Sequence, residues 1–173
     1  MTTTNIPAAV DSRTFRNVMG LFATGVTVVA TDVAGEIYAM TANAVTSVSL
    51  EPTLVLVCIH KQATIAAKVR ESGKFTINIL TSGQTELSNY FARIWPQDAS
   101  PPPFTFESWS GGPRLADTSG ALACEVKEFL EGGDHWIVIA EVVDLFQQDI
   151  PDEPLLYYRG RYRFLLDVED NEL

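Results

Sequence analysis

Apolar residues near the start of the chain fall at helical spacing and then give way to strand-like runs. Phe15, Val18, Met19 and Phe22 follow an i, i+3, i+4, i+7 pattern behind Asp11 and Ser12, either of which can cap a helix. Such a helix is expected to pack that face on a neighbour. Residues 25–32 (GVTVVATD) are β-branched, and Ala34-Gly35 separates them from a second extended stretch at 36–46, so the two predict a hairpin. After Glu51-Pro52, residues 53–60 (TLVLVCIH) form a nearly continuous apolar run of strand length. A run of that kind is expected at the centre of a sheet, buried on both faces.

Further along, 64–72 reads as a short helix ended by Gly73, and 74–80 (KFTINIL) alternates as a strand. Ser82 can cap a third helix burying Leu87, Tyr90, Phe91 and Ile94. Pro96, the prolines at 101–103 and Pro113 predict an irregular surface excursion over 95–113. The rest is β again: 121–130, a Gly132-Gly133 turn, 135–147, then 155–164. About seven β segments with three short helices, not alternating regularly, predict a mainly β fold with short helices, a closed or split β-barrel.

Composition narrows the class of protein. With 173 residues, 46% hydrophobic and 20% charged, the chain suits a single domain over 1–173, with an ordered core about 11–166. An N-terminal arm precedes that core, and an acidic tail (Asp167, Glu169, Asp170, Glu172) follows it. Twelve Lys+Arg against 22 Asp+Glu give a net charge of −10, which disfavours nucleic acid and anionic membrane surfaces as partners. Two cysteines, Cys58 and Cys124, sit in apolar runs and form no disulfide framework or CxxC pair. No secretory leader is evident in 1–10 and no apolar run approaches membrane-span length, so a soluble, cytoplasmic protein is expected.

Nucleotide and hydrolase motifs are missing: no GxGxxG, no GxxxxGK and no GxSxG. Four places could carry chemistry. At Cys58-Ile59-His60-Lys61-Gln62-Ala63-Thr64 a strand feeds a helix start whose free N–H groups, with Lys61 and the Thr64 hydroxyl, could receive an anion. On spacing alone, an ordinary joint with Thr64 as a plain N-cap is the reading favoured. The stretch TANAVTSVSL, with Thr41, Ala42, Asn43, Thr46, Ser47, Val48 and Ser49, is small and hydroxylated, so a flat heterocycle could approach its backbone; a polar strand end is the alternative. His135, beside Asp134 in a tight turn, can serve a ligand at a rim or do nothing. Arg159, Arg161 and Arg163, interleaved with Tyr158, Gly160 and Tyr162, form a basic and aromatic patch, or the solvated face of a strand. Cys58, His60, Cys124 and His135 lack the spacing of a structural zinc site, so no metal is expected.

Taken in order, FRNVMGLFATGVTVVAT, TANAVTSVSLEPTLVLVCIHKQATIAAKVRESGKFTINIL, the pair Phe91-Ala92, GDHWIV and LLYYRGRYR resemble the flavin reductase family of FMN-binding split barrels. These are the reductase components of two-component flavin-dependent monooxygenases, and the resemblance runs over 15–164. It implies hydride transfer from NADH or NADPH to FMN or FAD, with reduced flavin diffusing to a partner monooxygenase. It also implies a homodimer. Residue by residue, it places Thr46, Ser47, Val48 and Ser49 along the isoalloxazine, and Cys58, Ile59, His60 and Lys61 at a strand end beside the flavin. Thr64 would lie near the flavin phosphate, His135 beside the nicotinamide, and Tyr158, Arg159, Gly160 and Tyr162 toward the dinucleotide. Thr53 stands where relatives often carry a second proline. A non-catalytic flavin-holding or redox-sensing module, and a flavoenzyme reducing a bound non-flavin substrate, remain the alternatives.

Overall fold

A computed structural model describes residues 10–150 and 152–165. The sequence's N-terminal arm (1–9) and acidic tail lie outside them, as does residue 166 at the end of the expected core. The elements run α1 (Ser12–Met19), β1 (Thr24–Gly25), β2 (Thr27–Val33), β3 (Glu36–Ala42), β4 (Val45–Leu50), β5 (Thr53–His60), α2 (Thr64–Ser72), β6 (Lys74–Ile79) and α3 (Thr85–Phe91), the last entered through a 3₁₀ turn at Ser82–Gln84. They continue with β7 (Phe106–Trp109), β8 (Gly112–Leu115), β9 (Gly120–Gly132), β10 (His135–Gln147), β11 (Leu156–Tyr158) and β12 (Arg161–Arg163).

Seven strands form one sheet in the order β3-β2-β6-β9-β10-β5-β4, antiparallel throughout. β9 and β10 form a long hairpin turned at Gly133 and Asp134, with two register shifts along it, between Ile139 and Ala140 and between Val142 and Asp144. Bulges of this kind bend a strand and add twist, which curves a long ladder. The edge strands β3 and β4 are consecutive in sequence, joined by Asn43-Ala44 alone.

Buried side chains gather into two clusters. On one face Val29, Val57, Ile59, Phe75, Ile77 and Val138 pack against Ile65, Ala66 and Val69 of α2. On the other, Val26, Val28 and Leu80 meet Leu87 of α3, Leu115 of β8 and Leu155. Because β2 and β6 lie between both clusters, they bury runs of consecutive residues, polar ones included. The buried polar side chains of β6 find partners: Asn78 Nδ2 donates to the Val28 carbonyl (3.0 Å), Leu115 N–H donates to Asn78 Oδ1 (2.8 Å), and Thr76 Oγ1 donates to the Pro113 carbonyl (2.6 Å).

The structure corrects parts of the sequence reading. β5 is not central and not buried on both faces: it lies next to the β4 edge, alternating buried Val55, Val57 and Ile59 with half-buried Leu54, Leu56 and Cys58. The centre belongs to β9. The stretch 36–46 breaks at Asn43-Ala44, so only its first part pairs with β2 while β4 crosses to the opposite edge. Thr64 is the first helical residue rather than a side-chain cap; Ala63 holds the cap position without a side-chain bond. Thr81, not Ser82, opens the third helical segment, in a capping box with Gln84. Ile94 is exposed, and the proline-rich excursion contains the β7-β8 hairpin. The final β stretch is two short strands reversing at Arg159-Gly160, both at positive φ (52° and 73°). α1, capped by Asp11 accepting from Thr14 N–H (2.8 Å), buries none of its residues within this chain.

Candidate functional site

A cavity of about 710 Å³ opens between β3, the start of α2 and the end of α3. Ile37 to Thr41 form one wall, Gln62 to Ile65 with His60 a second, and Tyr90 to Arg93 a third. Each wall follows from local structure. Gly73, left-handed at φ 69°, ends α2, whose opposite end presents free backbone N–H groups to the cavity. At the end of α3, Arg93 N–H donates to the Tyr90 carbonyl (3.1 Å) and Ile94 N–H to the Asn89 carbonyl (3.1 Å). This is a Schellman ending in which Arg93 takes the left-handed residue's place at φ 61°. A glycine is the usual occupant, so an arginine at this point of the cavity lining comes at some cost in backbone strain.

Two residues expected at the ligand brace α3. Thr41 Oγ1 donates to the Ser88 carbonyl (2.7 Å), and Tyr162 Oη bonds Ser88 Oγ and Asn89 Oδ1 (2.9 Å each). The turn carrying Arg159 is tied to the end of α1, its N–H donating to the Gly20 carbonyl (2.8 Å).

At the cavity's border the chain's two histidines meet. His60 and His135 are cross-strand partners of β5 and β10, with ring centroids 5.1 Å apart at 84°. His135 Nδ1 lies 2.7 Å from Asp134 Oδ1, and that bond, above all, holds the Asp134 carboxyl below its ordinary value. Lys61 turns away from the cavity: its Nζ sits 3.2 Å from Glu131 and 4.7 Å from the Trp136 ring centroid. Arg70 stacks over the same Trp136 ring (4.5 Å) and over Phe129 (4.4 Å), so the far side of this corner is a cation–aromatic layer.

Of the residues singled out by sequence, Thr41, His60, Thr64, Phe91 and Ala92 line the cavity. Thr46, Ser47, Val48 and Ser49 lie on the exposed edge strand β4, outside it. Ala42 and Ile59 are buried in the core, and Asn43 Nδ2 bonds Thr24 Oγ1 (3.2 Å). Tyr158, Arg159, Gly160 and Tyr162 stand on the β11-β12 hairpin rather than in the cavity. Cys58 is half-buried and its thiol is pushed up by burial; Cys124, fully buried, is pushed up to about 12, so neither is a ready nucleophile. Among the described residues no three His, Cys, Asp or Glu side chains gather as a metal would need, and no helix is long and apolar enough to cross a membrane. Arg93 and Gln62 escaped sequence reasoning. The one available signal was a helix ending in Phe91-Ala92-Arg93 with no glycine or asparagine to close it.

The flavin reductase like domain matches residues 19–166. The chain belongs to the flavin reductase family. Among its family relatives, the reductase component of a 4-nitrophenol 4-monooxygenase/4-nitrocatechol 2-monooxygenase from Rhodococcus opacus is 40% identical, over 91% of this chain and 83% of the relative. An NADH-dependent FAD reductase from Streptomyces globisporus is 36% identical, over 92% and 90%. Solved flavin reductases superpose closely. PheA2 in its native state gives a TM-score of 0.84 at 41% identity, covering 91% of this chain and 99% of its own. The Streptomyces globisporus NADH:FAD oxidoreductase SgcE6, in complex with NAD and FAD fragments, gives 0.81 at 32% identity, covering 92% and 96%.

Proposed function

We propose that the cavity beneath Arg93 and the start of α2 holds the flavin and that the His60–His135 border receives the nicotinamide. The enzyme is an NAD(P)H-dependent flavin reductase, an oxidoreductase of its family. The observation that carries the site assignment is His60 itself, which lines the cavity and also touches His135, so one residue belongs to both halves. The donor set fits a phosphate-bearing flavin: a helix N-terminus and a guanidinium suit an anion, and Phe91, Tyr90 and Met40 suit flat rings.

When bound together, the nicotinamide and the flavin themselves supply the hydride chemistry. The chain's work is therefore to bind, align and shield, which explains a site without a strong acid, nucleophile or metal cluster. The reduced flavin then serves a partner monooxygenase, in keeping with the reductase-component relative.

A homodimer completes this reading. Phe15, Val18, Leu21 and Phe22 are 57%, 61%, 56% and 72% exposed, and apolar side chains grouped at a surface are what a partner subunit covers. A split-barrel arrangement agrees with edge strands β3 and β4 being joined by only two residues. Free, unpaired cysteines agree with a reducing cytoplasm. The test is turnover under air with NADH or NADPH crossed with FMN or FAD, following loss of reduced-nicotinamide absorbance. Oxidation that depends on added flavin supports the reductase; a stoichiometric, single-turnover bleach would favour a flavin-holding module.

A further inference from the structure

The contact between His60 and His135 fixes more than their proximity. Lys61 N–H donates to the Asp134 carbonyl (2.9 Å), which makes the adjacent His60/His135 pair a non-hydrogen-bonded one, where facing side chains come closest. The rings stand nearly perpendicular, and neither is buried.

Each Nδ1 is already engaged, and in opposite senses. The Gln62 backbone N–H donates to His60 Nδ1 (3.1 Å), so this nitrogen carries the lone pair and the ring proton of His60 sits on Nε2. His135 Nδ1 faces Asp134 Oδ1 at 2.7 Å; an ionised carboxylate only accepts, so Nδ1 carries a proton and, in the neutral ring, Nε2 keeps its lone pair. With both rings neutral, the pair offers one N–H donor and one acceptor, fixed by different backbone and side-chain partners. Among the neighbouring charges, Asp134 is committed to His135, and Lys61 is drawn off by Glu131 (3.2 Å) and Trp136 (4.7 Å), so neither competes for a ligand there.

We propose that His60 and His135 together recognise a primary carboxamide, that of the nicotinamide, His60 Nε2–H donating to its oxygen and His135 Nε2 accepting from its N–H. A primary carboxamide presents both complements on one small group, whereas a ketone or carboxylate offers only acceptors and leaves His135 Nε2 without a donor. This rests on the nicotinamide reading of the border given above and adds a second histidine and a substituent to it.

Calorimetric titration of the flavin-loaded protein with oxidised NAD and with its 3-acetylpyridine analogue, in which a methyl ketone replaces the carboxamide, tests the pairing. The wild type is expected to bind the analogue roughly tenfold more weakly, the loss of one hydrogen bond to a paired group. His135→Leu is expected to weaken NAD toward the analogue's affinity and bring the ratio near one. His60→Phe is expected to weaken both ligands alike and keep the ratio. A wild-type ratio near one, or a ratio unchanged in His135→Leu, overturns the proposal, and the wild-type measurement stands even if a variant fails to fold. Carboxamide preference without flavin-dependent turnover would remove the reductase reading alone; turnover without preference would remove this proposal alone.

Discussion

Arg93 occupies a backbone conformation that glycine adopts freely and arginine does not, at φ 61°. Arg93 lines the cavity, whereas the Lys61 ammonium expected there is spent on Glu131 and Trp136. Arg93→Gly should therefore separate stability from binding. Unfolding free energy is expected to hold or rise by about 1 kcal/mol, while the Kd for FMN rises roughly tenfold and that for riboflavin changes little. Urea unfolding and fluorescence titration read the two effects. His135→Ala should raise the KM for NADH several-fold with flavin affinity nearly intact, since His135 lies outside the cavity; equal loss of flavin affinity would show the role misassigned. Asp134 adds a pH signature. Its folded pKa is lowered by His135, so its contribution is present above about pH 4 and is lost as pH falls through the lowered value. In Asp134→Asn that component is gone, and the variant's Tm is expected to fall less than the wild type's below about pH 4.

Among the elements, β6 does more than its six residues suggest. Asn78 bridges the Val28 carbonyl on one side and Leu115 N–H on the other, so β2, β6 and β8 share one side chain. Asn78→Ala leaves the buried Leu115 N–H without its acceptor, while the Val28 carbonyl keeps its ladder partner, and is expected to cost about 2 kcal/mol in urea unfolding. What could be read in the sequence, and what could not, divides along the same lines. The helix over 64–72, the turn near Gly133 and the β character of 74–80, 121–130 and 135–147 follow from local pattern, and the structure contains them. The place of β5 was illegible, because an apolar run signals burial without saying which strands flank it. The break at Asn43-Ala44 was hidden by residues equally at home in a strand or a bend, and the β7-β8 hairpin by prolines that flank it and enter it at Pro113. For the site, the helix start and His60 were visible as a strand-to-helix joint. The meeting of His60 with His135 depends on two strands far apart in sequence, which no local motif declares.

At the scale of the whole molecule, the exposed apolar face of α1 and the open edge of β4 are what a second copy would cover. Sedimentation of the purified protein is expected to give a dimer, and replacing Phe15 and Val18 by Ser should shift it toward monomer at micromolar concentrations. A monomeric wild type would remove the dimer from the functional reading.

Among the described residues β4 pairs on one side only, which carries a further consequence. Its residues, Val45 to Leu50, hold no charge and no proline, so by themselves they form an adhesive template for any extended chain. Like-charged copies repel one another through a net charge of −10, and that protection shortens from about 10 Å in range at 0.1 M salt to about 3 Å at 1 M. The protein's colloidal behaviour is thus a balance between a sticky seam and a long-range acidic field, tipped by ionic strength.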